Sequence, residues 1–163
     1  MSFFIIIRGP LGCGKSTIAK KLAKSLKADY IAIDMILDEN NLEKDIEVGY
    51  ISQKSFIRVN EIVASKARQI LESKKPVVFD GNFYWKSQIE DLVKRLDFPH
   101  YIFTLKAPLD ICIERDKKRL KTHGEDAVRA VYKKSTEFDF GTLIDVNKPL
   151  DKCVTEVLSH LNH

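Results

Sequence analysis

Apolar residues fall along this chain in short unbroken runs, separated by longer stretches with a three-to-four-residue rhythm. The runs cover 3–7, 30–33, 77–79, 101–105 and 143–146. Continuous rather than alternating apolar runs are what strands of a parallel sheet need when both faces are covered. Between them, 16–27 carries Ile18, Ala19, Leu22, Ala23 and Leu26 on one helical stripe, and 53–73 carries Phe56, Ile57, Val63, Ala67, Ile70 and Leu71. Further helices are expected over 36–44, 86–96, 108–120, 125–138 and 149–161, with Pro108 and Pro149 where a first helical turn tolerates proline. The alternation predicts an α/β fold, a three-layer doubly wound parallel sheet of about five strands. Sites in such sheets lie beyond the carboxyl ends of the strands, so candidate residues are sought just after each apolar run.

The chain has 163 residues, a length that suits one domain over 1–163 with a core of its own. Charged residues make up 31%, and the net charge of +4 is too small to mark a nucleic-acid binder. Cys13, Cys112 and Cys153 are odd in number and widely spaced, which suits a reducing cytoplasm rather than a disulfide framework. No apolar run approaches the length of a membrane span, and the first residues lack the pattern of a signal peptide.

Directly after the first predicted strand stands Gly9-Pro10-Leu11-Gly12-Cys13-Gly14-Lys15-Ser16, followed by Thr17 and a helical pattern. This is G-x-x-x-x-G-K-[ST] in its strand–loop–helix context, and it points to nucleotide phosphate binding. Glycines let the backbone wrap a phosphate with its N–H groups inward, helped by the positive end of the following helix. Lys15 is then expected on the β- and γ-phosphates and the Ser16 hydroxyl on Mg²⁺. Gly9, Leu11, Gly12, Cys13, Gly14 and Thr17 complete the expected nucleotide contacts.

Three further places carry candidate chemistry. Asp80 ends the apolar run 77–79 and is expected to help hold Mg²⁺, with a turn cap beside Gly81 as the plainer role; Asn82 could meet substrate or merely form the turn. Asp34 follows 30–33 and could accept the proton of an attacking hydroxyl, or cap a helix beginning near Met35; Asp38 lies four residues on. Residues 106–134 hold nine Lys or Arg and five Asp or Glu. Within them Arg115 and Arg119 share a helical face and are expected on phosphate oxygens, while His123 reads as a loop residue. The plain alternative for the segment is a solvated helix surface. Tyr50, Phe56, Phe83, Tyr84 and Trp85 could stack a ring or belong to the core.

Together the loop at 9–16, Asp34, Phe79-Asp80-Gly81-Asn82 and Glu114-Arg115-Asp116-Lys117-Lys118-Arg119 resemble the small P-loop kinases of the polynucleotide kinase and zeta-toxin-like group. Val128-Arg129-Ala130-Val131-Tyr132-Lys133 is similar to the helix after the arginine lid of that group. The resemblance implies a P-loop kinase sheet with a short arginine-bearing lid at about 115–127. It also implies that Asp34 activates the acceptor hydroxyl and Arg119 contacts the donor phosphates. One departure stands out: polynucleotide kinases carry a basic residue three positions after that aspartate, and here it is Leu37. That departure counts against a phosphate-bearing polynucleotide acceptor.

The expectation is therefore a cytoplasmic kinase, monomeric or homodimeric, that uses ATP and Mg²⁺ to phosphorylate a hydroxyl on a small metabolite or a nucleic-acid 5′ end. Two alternatives stand beside it. A nucleoside monophosphate kinase would need Arg58 or Arg68 as a clamp on the acceptor phosphate. A nucleotide-binding or nucleotide-hydrolysing regulatory module would need a guanine-reading N-K-x-D, where the chain has Asn147-Lys148-Pro149-Leu150. That stretch instead resembles the adenine-side loop of P-loop kinases.

Overall fold

The structure, a computed structural model, describes residues 2–161. The apolar runs become β1 (Phe4–Arg8), β2 (Asp29–Ala32), β5 (Val77–Gly81), β6 (His100–Lys106) and β7 (Thr142–Asp145). They form one parallel sheet in the order β2-β5-β1-β6-β7. Helices α1 (Lys15–Leu26), α2 (Ile33–Glu39), α3 (Gln53–Glu72), α4 (Lys86–Leu96), α5 (Leu109–Lys117), α6 (Glu125–Ser135) and α7 (Leu150–Ser159) make the connections.

Successive side chains of a strand point to opposite faces, so β1 feeds two cores at once. Phe4 and Ile6 pack with Phe56, Val59, Phe79, Ile89 and Leu92 beneath α2, α3 and α4. Ile5 and Ile7 pack with Ile18, Leu22, Phe103, Cys112 and Val157 beneath α1, α5 and α7. The result is the three-layer doubly wound α/β fold that the apolar runs predict.

Two local expectations change. The segment 36–44 is not one helix: α2 begins earlier, at Ile33, and ends at Glu39, and a separate 3-10 turn covers Leu42–Lys44. Ala32 occupies the N-cap, which places Asp34 within the first turn of α2 and removes the capping role. A hairpin also stands where none is predicted, with β3 (Ile46–Glu47) antiparallel to β4 (Tyr50–Ile51). Val48 and Gly49 both take positive φ at its turn, 46° and 87°. That is the primed-turn geometry favoured by hairpins, built here with a β-branched residue that normally avoids it.

The last residue of β1, Arg8, is fully buried. Its guanidinium donates to the carbonyls of Phe83 (3.1 Å), Ser135 (3.0 Å) and Phe138 (3.4 Å) and to Thr104 Oγ1 (3.0 Å). It also lies 4.4 Å from the centre of the Phe138 ring. Burial pushes its pKa down to about 10, still cationic at neutral pH. One side chain thus ties the end of the central strand to the loop after β5 and to the segment after α6. Arg8→Met should leave these carbonyls without donors and destabilise the fold by about 3 kcal/mol. Urea unfolding followed by circular dichroism measures this, and an unchanged midpoint would remove Arg8 from that role.

Candidate functional site

The loop between β1 and α1 curls over the carboxyl edge of the sheet, and its curvature depends on two glycines. Gly12 has φ 80°, and a Cβ there would stand 2.2 Å from the Cys112 carbonyl oxygen on α5. Gly14, at φ 96°, caps α1 in left-handed geometry. Arg115 holds the loop from outside: its Nη1 donates to the Cys13 carbonyl (2.9 Å) and its Nη2 to those of Val146 (2.7 Å) and Lys148 (3.3 Å). The guanidinium offered by the sequence as a phosphate ligand therefore spends these donors joining the loop to the segment after β7. The Cys13 side chain turns into the core, where burial pushes its thiol pKa up.

A cavity of about 390 Å³ opens along this loop, lined by Gly12, Gly14, Lys15, Ser16, Thr17, Arg115, Lys118, Arg119 and Leu150. Four cationic side chains and a helix N-terminus converge on it, the setting an oligophosphate requires. Lys15 Nζ donates to the Pro10 carbonyl at 3.1 Å. Leu11 does not reach this cavity; it lines the neighbouring one.

Asp80 stands in register with Ile7 on one side and Ala32 on the other, at the carboxyl edge of the sheet. Its Oδ2 accepts from the Ser16 hydroxyl (2.8 Å) and from the Tyr30 hydroxyl (2.6 Å). The sequence pairs Ser16 with Asp80 by motif, but Tyr30 reads there only as part of a strand. Burial and the adjacent carboxylate push the Tyr30 phenol pKa up, so it stays a donor. Among the described residues no cluster of three His, Cys, Asp or Glu could hold a metal. A hydroxyl and one carboxylate nonetheless fit Mg²⁺, which keeps several waters and takes further ligands from substrate phosphates.

A second cavity, about 660 Å³, lies between α2, the β3–β4 hairpin and α6. Asp34, Asp38, Leu37, Asn82, Tyr50 and Tyr84 are on its walls, with Arg119, Lys121 and His123 on the side of the loop between α5 and α6. The aromatic candidates divide: Tyr50 and Tyr84 line this cavity, whereas Phe56 and Phe83 are core. Trp85 carries the Lys134 ammonium 3.8 Å from its ring centre. Burial raises the Asp34 carboxyl pKa, the Lys15 ammonium pulls it partly back and Asp80 raises it again. The side chain is open to the cavity, so water moderates that rise.

The segment 115–127 comprises the last turn of α5, a loop over 118–124 and the start of α6. Arg119, exposed in that loop, borders both cavities. Its position is set by a residue the sequence leaves without a role. Asp116, 1% exposed, accepts from the backbone N–H groups of His123 (3.1 and 3.2 Å) and Gly124 (3.1 Å). A carboxylate in the last turn of a helix opposes the helix dipole, and burial adds to that cost. Those two amides offset it, and they close the loop on which Arg119 stands. Burial and Arg119 push the His123 imidazole below its usual pKa, so it is neutral at pH 7.

The sheet order, the glycine loop at a helix N-terminus and the loop over it give this chain the fold of a small P-loop kinase. It belongs to the AAA domain family, whose model matches residues 4–138. Shikimate kinase of Clostridium botulinum (strain Loch Maree / Type A3) is 31% identical over 135 residues, covering 82% of this chain and 72% of the relative. The ATP-dependent protease ATPase subunit HslU of Exiguobacterium sibiricum is 32% identical over 71 residues, 44% of this chain but 14% of HslU. The chain thus spans a small part of HslU and most of shikimate kinase. Among solved structures, a sugar kinase from Janibacter sp. HTCC2649 superposes with a TM-score of 0.79 over 98% of this chain and 94% of that one. At 14% identity, that likeness carries the fold alone.

Asp116→Asn would set an amide N–H against the loop N–H groups and loosen the segment carrying Arg119. Turnover should fall by up to about 10²-fold, with nucleotide affinity changing far less. Steady-state kinetics and nucleotide calorimetry separate the two; equal losses in both would reduce Asp116 to a contact of the fold.

Proposed function

We propose that the protein is an ATP- and Mg²⁺-dependent kinase that moves the γ-phosphoryl group to a hydroxyl of an acceptor held in the 660 Å³ cavity. The observation that carries this reading is the place of Arg119, shared by the phosphate-loop cavity and the cavity containing Asp34. Phosphoryl transfer needs one cation where donor and acceptor meet, because charge spreads over the transferred group as it moves. A cavity of this size, walled in part by Tyr50, Tyr84 and Leu37, is larger than an attacking water needs, which favours a molecular acceptor over an ATPase module. The relative named shikimate kinase supports kinase-type transfer.

In this reading the backbone N–H groups of the loop and Lys15 hold the β- and γ-phosphates, and Leu150 borders the nucleotide side. Ser16 and Asp80 would hold Mg²⁺, whose charge offsets that of the phosphates. Tyr30 keeps the Asp80 carboxylate turned to the site. Asp34 orients the acceptor hydroxyl and takes its proton, a role favoured by a carboxyl pKa that burial raises. Arg115 acts indirectly, by holding the loop through Cys13, and Arg119 stabilises the charge in flight. A monophosphate acceptor is disfavoured. Arg58 pairs with Glu61 (2.9 Å), and Arg68 donates to the carbonyls of Arg95 (3.1 Å) and Leu96 (2.7 Å).

Asp34→Asn should retain ATP binding and lower transfer by roughly 10²–10⁴-fold. Since Asp34 does not cap α2, no loss of capping confuses the result. Lys15→Ala should lower turnover by about 10²–10³-fold with any acceptor, through lost phosphate neutralisation. Labelled ATP screened against sugars, nucleosides, 5′-hydroxyl oligonucleotides and small alcohols identifies the acceptor for both measurements. Transfer at wild-type rate by Asp34→Asn would place the acceptor site elsewhere.

A base works only when deprotonated, so wild-type transfer should fall as pH drops through the Asp34 pKa. That acid limb should lie above the region near pH 4 of an ordinary carboxylate. Lys15→Ala, by removing the cation that pulls the pKa down, should move the limb to still higher pH. A pH–rate profile with the limb unmoved would separate Asp34 from the titration.

A further inference from the structure

Resting on the kinase reading above, we infer that the acceptor is an uncharged polyhydroxylated ring compound, and that the walls of its cavity select against carboxylate- and phosphate-bearing analogues. Three observations of the cavity carry this. The first is the character of its polar groups. Asp34 and Asp38 stand one turn apart on α2 and both line it, and among the described residues no ion pair reaches either carboxylate. Asn82, 8% exposed, lines it too, with an Oδ1 that has no protein partner. Carboxylate oxygens and an amide oxygen are hydrogen-bond acceptors, and they are satisfied by a ligand rich in donors. Hydroxyl groups donate; carboxylates and phosphates do not, and their charge meets like charge at this wall.

The second observation is where the cations are. The cationic or potentially cationic residues lining the cavity are Arg119, Lys121 and His123, all on the lid loop. Arg119 is shared with the phosphate-loop cavity, His123 is neutral at pH 7, and Lys121 is exposed to water and screened by salt. Arg58 borders a separate cavity with Leu42 and Lys54. An acidic acceptor would therefore face two carboxylates with one solvated lysine to balance it. The third is the apolar share of the walls. Tyr50 and Tyr84, in edge contact at 5.5 Å between ring centres, and Leu37 present a surface suited to a ring. A sugar and a nucleoside share this chemistry, and the test separates them.

The experiment compares kcat/KM for matched pairs with the purified full chain, ATP and Mg²⁺. The pairs are the methyl ester of a hexuronic acid against the free hexuronic acid, a 2′-deoxynucleoside against its 3′-monophosphate, and methyl shikimate against shikimate. Every member keeps an acceptor hydroxyl, and the pair with the fastest uncharged member identifies sugar, nucleoside or carbocycle. At least one uncharged member should exceed its charged partner tenfold or more. Asp38→Asn, at an exposed position, should lower that ratio at least threefold, and Asp38→Ser repeats the measurement should the first variant fold poorly.

No uncharged member exceeding its charged partner tenfold, with transfer to some member observed, overturns this inference and leaves the kinase reading standing. A ratio unchanged in a well-folded Asp38 variant overturns it as well, because the discrimination would not come from this wall. No phosphate transfer to any member, with ATP still hydrolysed, overturns the kinase reading and this inference with it.

Discussion

The backbone of residues 9–14 turns sharply between β1 and α1, with Gly12 and Gly14 at positive φ, and the rest of the site is organised around holding that bend. A loop so curved cannot satisfy its own carbonyls, so their partners must come from elsewhere. Arg115 supplies one, reaching from α5 to the Cys13 carbonyl and onward to Val146 and Lys148. Gly12 makes the same junction sterically possible, since any Cβ would strike the carbonyl of Cys112. The phosphate loop, α5 and the segment entering α7 are therefore one mechanical unit. The lid loop grows from the end of that same helix, so a displacement of α5 would reach both cavities.

Buried polar groups do the same work on the other side of the sheet. Arg8 extends the apolar alternation of Phe4 and Ile6 and puts a guanidinium where a hydrophobic side chain would otherwise stand. An apolar replacement would fill the space but leave three carbonyls in two separate segments unsatisfied. Its value lies in defining where those segments sit relative to the end of β1. Asp80, Ser16 and Tyr30 form a smaller version of this device at the carboxyl edge.

The elements legible in the sequence are those with long periods. Five apolar runs give the five parallel strands, and the stripes of α1, α3 and α4 are recovered within a residue or so. The hairpin is not legible because strands of two residues carry no period, and its turn uses Val48 where Asn or Asp would signal it. At the site, the motif residues fall where the strand ends predict, because register in a parallel sheet brings Asp80 beside the end of β1. What the sequence hides are contacts made across distance. Tyr30 reaches Asp80 fifty positions away, and Arg115 spends its fork on carbonyls more than thirty away. Asp116 looks like one more charge in a charged run until its two amide partners are seen.

The division of charge between the two cavities follows from this scaffold. Cations gather where α1 begins and α5 ends, because both the loop and the lid belong to that side of the sheet. Carboxylates gather on α2, which leaves β2 on the other flank and carries neither lysine nor arginine. The boundary between the two fields runs past Arg119, the exposed cation they share. The potential on one side of that boundary suits a negatively charged group, and the carboxylate wall on the other suits an uncharged hydrogen-bond donor. Interactions at this boundary strengthen wherever water is kept from it, since electrostatic interactions grow as the local dielectric falls. The buried Asp116, which pins the loop carrying Arg119, therefore fixes the one place where the two fields meet.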